Sequence, residues 1–334
     1  IAPGMKCVRT DDLNTACDYG NTDGTSVTVT KCSEHEWEYK VENDKHTKTC
    51  KLCNADGGSE AHKAEKYVSV SESLHDICCV CGKKMGTEEH AMQYNPNPDD
   101  LTHRISCKRC NLTPVDQQHD FRNGVCVCGI GKSAEYGGQA YASLQAAVNA
   151  AAKAADGGTV TLARDVSENV TVTGGTLTVD LNGKTWHVYE DVNSNIIHKI
   201  PLTVTGGSVT LKNGTISQEL RTDGKCGIQI TGGSVTVEGD TVVIGSNKDG
   251  GAQLPPAPAI ELEDGGLTLA TGATLVYGLK VPEDKHLSDY LPEGTAFRLR
   301  SYNEATGTLT EDKGLLNAYT INNYAEHDMA LVVV

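Results

Sequence analysis

The chain has few aromatic side chains, no long apolar run and no excess of basic charge. Phe and Trp number two each among 334 residues, and aromatic residues make up 5%. No stretch of about 18 apolar residues occurs, so the sequence predicts no membrane-spanning helix. Lys and Arg number 29 against 44 Asp and Glu, which gives a formal net charge of −15. Because phosphate contacts need a basic surface, this balance argues against a nucleic-acid partner.

Cysteine is nearly absent from the second part of the chain. Twelve of the thirteen Cys and seven of the eleven His precede residue 130, and only Cys226 lies outside. The composition then changes to short runs of Thr, Val, Gly and Leu, which indicates a boundary near Gly137-Gly138. The first 130 residues have too few large apolar side chains for an ordinary core, so we expect a metal or disulfides to stabilise them.

Four copies of one pattern occupy this cysteine-rich part: a His with an aromatic residue after it, a second His, then a close Cys pair. The leading His residues are spaced by 27, 28 and 29 residues, a regular repeat period. Two imidazoles and two thiolates per copy are the ligands of a closed tetrahedral zinc site, which predicts three to four structural Zn²⁺ ions. The predicted ligands, copy by copy, are His35, His46, Cys50 and Cys53; His62, His75, Cys78 and Cys81; His90, His103, Cys107 and Cys110; and His119, Cys126 and Cys128.

Two copies are less regular than the others. In the second, Cys78 keeps the two-residue gap to Cys81, whereas Cys79 keeps the three-residue gap after the second His. The fourth copy has no second His, so it borrows a ligand, binds weakly or holds no metal. Three earlier cysteines have no His at matching offsets and are interpreted as a disulfide pair or a degenerate leading unit: Cys7, Cys17 and Cys32.

A disulfide framework is the alternative interpretation of so many cysteines. A Cys-x-x-Cys disulfide closes a very small loop and stabilises little, and it would not explain the recurring His residues. The aromatic residues in each copy are expected to pack over the metal site, although they could instead stack on bases or sugars. Four protein ligands leave no open position for water, so the predicted sites are structural and not hydrolytic.

The stretches from His35 to Cys53 and from His119 to Gly129 resemble short His/Cys repeats in surface proteins of Gram-positive bacteria. That resemblance implies linker or stalk modules at the cell surface. The chain begins at Ile1 without a recognisable signal peptide, so we interpret it as a piece of a longer protein.

The second part of the chain begins with one helix pattern and continues with strands. Residues 143–155 are predicted to be helical, with Ser143 as the N-cap and Gly157-Gly158 as the stop signal. Four blocks of the form strand, Gly-Gly, strand follow, with Gly-Gly beginning at residues 174, 206, 232 and 265. This spacing favours a solenoid, although each Gly-Gly could also be the turn of an antiparallel hairpin.

The helix followed by Gly-Gly-Thr-Val-Thr-Leu resembles the start of pectin-lyase-like right-handed β-helices. The resemblance implies a helix that caps the first coil, and it raises a polysaccharide lyase or hydrolase as the alternative function. Acids such as Asp180 and Asp240 fall mostly at turns or strand ends, and no acid pair recurs between blocks, so no catalytic residue is predicted. The apolar C-terminal run, residues 329–334, is expected to pair along the open end of the solenoid.

The sequence therefore predicts a mainly β protein in three parts. They are a lead segment at 1–31, four zinc-binding modules at 32–131 and a short right-handed parallel β-helix with its capping helix at 138–334. We expect a secreted or cell-surface binding or adhesion module whose partner is a host or cell-wall protein or glycan. The longest insertions, residues 190–201 and 246–259, are the expected contact loops.

Overall fold

The fold is described from a computed structural model in eight stretches separated by gaps: residues 5–9, 27–31, 35–52, 54–98, 101–188, 200–218, 225–246 and 256–334. The chain divides into two compact units. One comprises Ile1–Tyr94 and Arg104–Asp116, and the other comprises Asn95–His103 and Gln117–Val334. The described residues are mainly strand, as the sequence predicts, with one α-helix among them.

The cysteine-rich part forms small sheets. Strands β1 (Met5–Arg9) and β2 (Val27–Lys31) pair antiparallel within the predicted lead segment. Three sheets of three strands follow, in the orders β3-β4-β5, β6-β7-β8 and β11-β10-β9. Their strands are β3 (Trp37–Val41), β4 (Lys45–Cys50), β5 (Asp56–Ala61), β6 (Lys66–Ser69), β7 (Leu74–Cys78), β8 (Lys84–Glu89), β9 (Met92–Pro96), β10 (Thr102–Cys107) and β11 (Val115–Gln118).

These small sheets have almost no apolar core. In the first of them, the buried cluster is Cys50 with the half-buried Trp37 and Ala55 packed against it. Most other side chains of the three sheets are half-buried or exposed, whereas His46, His75 and His103 are buried near the start of the middle strands. A sheet that buries imidazole in place of aliphatic side chains needs a partner for the ring nitrogens, because unpaired buried polar groups destabilise a fold.

The remaining strands form one mixed sheet of fifteen. They are β12 (Ala134–Tyr136), β13 (Gln139–Tyr141), β14 (Gly158–Leu162), β15 (Val166–Ser167), β16 (Val170–Asp180), β17 (Thr185–Val188), β18 (Leu202–Lys212), β19 (Gly214–Gln218), β20 (Ile228–Val237), β21 (Thr241–Ile244), β22 (Ile260–Leu269), β23 (Thr274–Lys280), β24 (Phe297–Asn303), β25 (Thr308–Leu315) and β26 (Asn323–Val333).

Two parallel ladders make up most of this sheet. One runs through β14, β16, β18, β20 and β22, and the other through β15, β17, β19, β21 and β23. The Val, Leu and Ile side chains that alternate with Thr along the strands are buried in one continuous core with Trp186. This alternation is what a strand with one buried face requires. These ladders belong to a mainly β fold. That they wind into a right-handed β-helix remains a prediction.

The Gly-Gly dipeptides do not form hairpin turns in the described strands. Each lies inside a long strand that pairs in parallel with the next block, and the ladder shifts register beside it. One glycine of each pair has positive φ, for example +81° at Gly207 and +72° at Gly233. The glycines therefore bend each strand while it continues in the ladder.

The predicted helix and the predicted C-terminal pairing are both present. Helix α1 spans Leu144–Ala151 and is shorter than the predicted 143–155; Ser143 caps it by accepting the N–H of Ala146. Its buried face consists of Leu144, Ala147, Val148 and Ala151. Strand β26 pairs antiparallel with β23, the last strand of the second ladder. A single turn of 3-10 helix, Leu287–Tyr290, lies between β23 and β24.

Candidate metal centres

Three groups of two His and two Cys come together among the described residues. Within each group, one ligand atom from every residue lies within 4.8 Å of the others. The groups are site 1 (His46, His62, Cys79 and Cys81), site 2 (His75, His90, Cys107 and Cys110) and site 3 (His103, His119, Cys126 and Cys128). Eleven of these twelve residues are ones that the sequence predicted as ligands; Cys79 is the exception.

The grouping differs from the one inferred from the sequence. In site 1, His46 belongs to β4 and His62 follows β5, whereas Cys79 and Cys81 lie in the turn between β7 and β8. The first small sheet thus contributes both imidazoles and the second contributes both thiols. Each sequence copy was expected to enclose its own metal, but strand pairing places its second His beside the next copy instead.

Site 2 repeats this division of ligands. His75 lies in β7 and His90 follows β8, whereas Cys107 ends β10 and Cys110 lies in the turn after it. Imidazoles from one sheet again meet thiols from the following sheet.

Site 3 has the same construction with a reduced last part. His103 lies in β10 and His119 follows β11. The thiols of Cys126 and Cys128 come from a short segment held by the isolated bridges of Val125 with Arg122 and with Gly131. The fourth sequence copy has no second His of its own. In the structure, His103 of the third copy takes that place.

Cys79, and not the predicted Cys78, belongs to site 1. Cys78 is the last residue of β7 and pairs with Lys66 and Lys84, whereas the turn begins at Cys79. The Sγ atom of Cys79 lies 3.5 Å from Nδ1 of His46. The same turn occurs at site 3, where the N–H of Gly129 bonds to the carbonyl of Cys126 at 2.8 Å, as Gly82 does to Cys79 at 2.9 Å. A gap of one residue between the cysteines therefore suits this turn.

His35 and Cys50 are not part of the three groups, and Cys53 lies outside the described residues. Their local geometry nevertheless matches site 2. The N–H of Leu52 bonds to Sγ of Cys50 at 3.4 Å, and that of Arg109 bonds to Sγ of Cys107 at the same distance. One residue after each leading His, Glu36 accepts the N–H of Lys51 at 2.8 Å, and Ala91 accepts that of Lys108 at 2.9 Å.

Hydrogen bonds at the far side of the imidazoles turn their Nδ1 atoms towards the thiols. Nε2 of His62 lies 2.9 Å from the carbonyl oxygen of Glu42, and Nε2 of His90 lies 2.9 Å from that of Ser71. The opposite nitrogens, Nδ1, lie 3.4 Å from Sγ of Cys81 and 3.3 Å from Sγ of Cys110. A neutral ring that donates from Nε2 has an unprotonated Nδ1, which is the form that binds a metal.

One thiol in each of sites 1 and 2 ionises easily. Burial opposes ionisation of Cys79, but the N–H of Cys81 and the His62 ring outweigh it and lower the pKa of Cys79 to about 6. Burial likewise opposes ionisation of Cys107, whose pKa is lowered to about 6 mainly by the N–H groups of Arg109 and Cys110. A thiolate is the form of cysteine that binds metals.

Aromatic rings pack on the histidines, as the sequence predicts. The ring centroids of Tyr39 and His46 are 5.1 Å apart, and those of Tyr67 and His75 are 5.2 Å apart, both edge-on. Phe121 contacts His119 at 5.5 Å. These aromatic rings therefore cover histidines of the three His/Cys groups.

The donor set fits a closed metal site. Two imidazole nitrogens and two thiolate sulfurs satisfy four-coordinate zinc, so each group could hold one metal ion. Four protein ligands leave no position for a reacting water, so a metal held by all four would be structural and not hydrolytic.

Asp180, which an enzyme on the large sheet could use, belongs to a turn. Its carboxylate accepts the N–H of Asn182 at 2.9 Å and the side-chain amide of Asn213 at 3.1 Å. Lys212 lies 3.6 Å from the same carboxylate. Asn182 and Asn213 both have positive φ, so these contacts stabilise two adjacent turns.

Within the described stretches, no helix has the length and apolar character needed to cross a membrane. Comparison with protein-family models, with curated proteins and with solved structures finds no match for this chain.

Proposed function

We propose that the three His/Cys groups are structural zinc sites that join each small sheet to the segment that follows it. The observation that supports this most directly is the division of ligands: in sites 1 and 2, the imidazoles come from one sheet and the thiols from the next. A metal bound in this way adds its binding free energy to the packing of one sheet on another. Binding of structural Zn²⁺ contributes about 10–16 kcal/mol in zinc-finger peptides, far more than these small sheets obtain from apolar burial.

His35, Cys50 and Cys53 are proposed to belong to a further site that precedes site 1 in the sequence. The backbone around His35 and Cys50 matches that around His90 and Cys107 in site 2, and Cys53 follows Cys50 at the spacing of Cys110 after Cys107. Because His46 already belongs to site 1, the fourth ligand has to come from elsewhere in the chain.

Metal content with a thiol count tests these sites in the intact protein. We expect three zinc ions per chain by mass spectrometry under native conditions, or four if His35 and Cys50 also bind one. The six cysteines of sites 1 to 3 should react as free thiols after denaturation in a chelator. A metal-free protein with oxidised cysteines would contradict the proposal and restore the disulfide interpretation.

The second part of the proposal concerns the large sheet, which we take to be a short right-handed β-helix that follows the small sheets in the sequence. The two parallel ladders and their shared core support this, since successive blocks of sequence stack in register. The whole chain is then a secreted or cell-surface binding or adhesion module. Its partner is a host or cell-wall protein or glycan, held by the insertions at 190–201 and 246–259, most of which lie outside the described residues.

A binding screen with a cleavage assay tests this second part. The intact chain is expected to bind one class of host or cell-wall protein or glycan without cleaving it, and binding should fall when the insertion at 246–259 is shortened. Polysaccharide cleavage that is lost in Asp180→Ala or Asp240→Ala would contradict the binding role and favour a carbohydrate-active enzyme. Shortening the turn at 304–307 provides a control loop.

A further inference from the structure

The three metal sites differ in what lies behind their buried imidazoles. At site 2, Oε1 of Glu88 lies 2.8 Å from Nε2 of His75, and the same oxygen accepts a hydrogen bond from Nη1 of Arg109 at 2.6 Å. At site 1, Nε2 of His46 is buried without a hydrogen-bond partner among the described residues. Site 2 therefore has a carboxylate behind its buried histidine, whereas site 1 has none. In site 3 the residue two positions before His119 is Gln117, which carries no carboxylate.

Glu88 occupies a position that recurs in the small sheets. It stands directly opposite His75 in the pairing of β7 with β8 and precedes His90 by two residues. Glu60 has the same relation to His46 and His62 in the first small sheet. The Glu60 carboxylate, however, accepts a hydrogen bond from Lys48. Glu88 and Glu60 thus occupy equivalent positions, but Glu88 contacts a candidate ligand histidine and Glu60 contacts a lysine.

Arg109 connects this carboxylate to the thiols. It lies between Cys107 and Cys110, and its guanidinium group stands 5.6 Å from the ring centre of Tyr67 in the preceding sheet. A carboxylate that accepts the far N–H of a ligand imidazole fixes its tautomer and raises its basicity. The Glu88–Arg109 pair also orients the imidazole and the thiol turn relative to each other through protein atoms alone.

We propose that Glu88 is a positioning residue that makes site 2 the tightest metal site of the protein, with Arg109 linking it to the thiol turn. This inference rests on the proposed zinc sites. Glu88 holds His75 with Nδ1 towards the metal, so less reorganisation accompanies metal binding at site 2 than at site 1. Site 2 is then the last site to lose its metal.

Stepwise removal of zinc from the full-length protein tests this inference. Native mass spectrometry with increasing concentrations of a chelator is expected to leave a one-zinc species over a wide range in the wild type. Glu88→Gln should weaken that last site by about 10- to 100-fold, the usual effect of losing such a carboxylate partner. Glu60→Gln is the matched control and should leave the one-zinc species unchanged.

The ¹⁵N chemical shifts of the histidine rings provide a readout that a merely structural role for Glu88 would not alter. In the metal-free wild type, His75 is expected as the tautomer protonated at Nε2, and Glu88→Gln should mix the two tautomers while leaving His62 unchanged. Arg109→Lys, which keeps the charge but changes the contact, should give an intermediate loss of affinity.

Equal weakening by Glu88→Gln and Glu60→Gln, or a last zinc that is insensitive to Glu88→Gln, would overturn the inference while the zinc sites themselves stand. A wild type that binds no zinc would overturn both proposals. Circular dichroism of both variants verifies that they fold. Folding of Glu88→Gln is expected because the Glu88 side chain is 34% accessible to solvent.

Discussion

Cys79 and Cys78 are neighbours with opposite roles, because the strand ends between them. The Cys78 backbone completes the pairing of β7, whereas Cys79 begins the turn and is fully buried against His46. Along an extended strand, neighbouring side chains point to opposite faces, so a shift of one residue decides which thiol meets the imidazoles.

Serine substitutions distinguish these two cysteines. Cys79→Ser is expected to reduce the zinc content from three ions to two, because it removes one of two thiolate ligands at site 1. Cys78→Ser should keep the full content. Native mass spectrometry measures both, and an equal loss in the two variants would contradict the assignment of Cys79.

At the scale of single elements, α1 depends on a carboxylate from outside the helix. Glu168 accepts the N–H groups of Leu144 and Gln145 at 2.8–3.2 Å, at the N-terminal end where the helix dipole favours a negative charge. Ser143 satisfies the N–H of Ala146. The first turn of the helix therefore has most of its free N–H groups bonded.

Glu168→Gln is expected to destabilise the large sheet by about 1–2 kcal/mol, since a charge-assisted hydrogen bond becomes a neutral one. Urea unfolding followed by Trp186 fluorescence in a Trp37→Phe background measures this, because Trp186 is then the one tryptophan and is fully buried in the same core. Glu135→Gln, at a surface pair with Lys132, is the control and should change stability by less than about 0.5 kcal/mol. Equal losses in the two variants would argue against capping by Glu168.

The Gly-Gly bends also belong to the scale of single elements. Some of their positions have room for a side chain and others do not. A Cβ on Gly207, where φ is +81°, would meet Gly175 O and lie 2.5 Å from the carbonyl carbon of Gly174. A Cβ on Gly174 would meet no atom within 4 Å. Successive blocks approach so closely at the bend that only one of these glycines tolerates a side chain.

Gly207→Ala is therefore expected to reduce the free energy of unfolding by about 2 kcal/mol or more, from positive φ and backbone overlap together. Gly174→Ala should change it by less than about 0.5 kcal/mol. The same urea experiment measures both. A tolerated Gly207→Ala would show that the strands separate more easily at the bend than the geometry indicates.

At the scale of the whole molecule, the large sheet and the small sheets are stabilised in different ways. The large sheet has a continuous apolar core, whereas the first small sheet buries Cys50 with little else around it. Hydrophobic burial does not depend on metal, but four-ligand sites do.

Removal of zinc is expected to unfold the small sheets and leave most of the large sheet folded. Chelation should change tryptophan emission in the wild type, since Trp37 lies in the first small sheet, and should leave the emission of Trp37→Phe unchanged, since Trp186 then remains alone. Far-UV circular dichroism should retain strand signal in both. Loss of the Trp186 signal on chelation would show that the large sheet also depends on metal and would contradict this prediction.

Most of the residues that come together in the three His/Cys groups could be identified from the sequence, since His and Cys recur at offsets that few other requirements explain. Their partners could not, because each of the first three copies contains a complete ligand set and spacing alone favours the set nearest in sequence. Cys78 fits the regular gap, and only the end of β7 excludes it. The carboxylate of Glu88 gives no sequence signal that distinguishes it from Glu60, because both precede a His by two residues.

The sequence by itself determined the mainly β fold, the composition of the three His/Cys groups and the position of the helix, since these depend on alternation, donor chemistry and local capping. Tertiary structure alone decided that the His/Cys pattern joins successive sheets instead of closing within each copy. The physical reason is that the second His of a copy lies in the middle strand, and pairing of that strand turns it towards the thiols of the next copy.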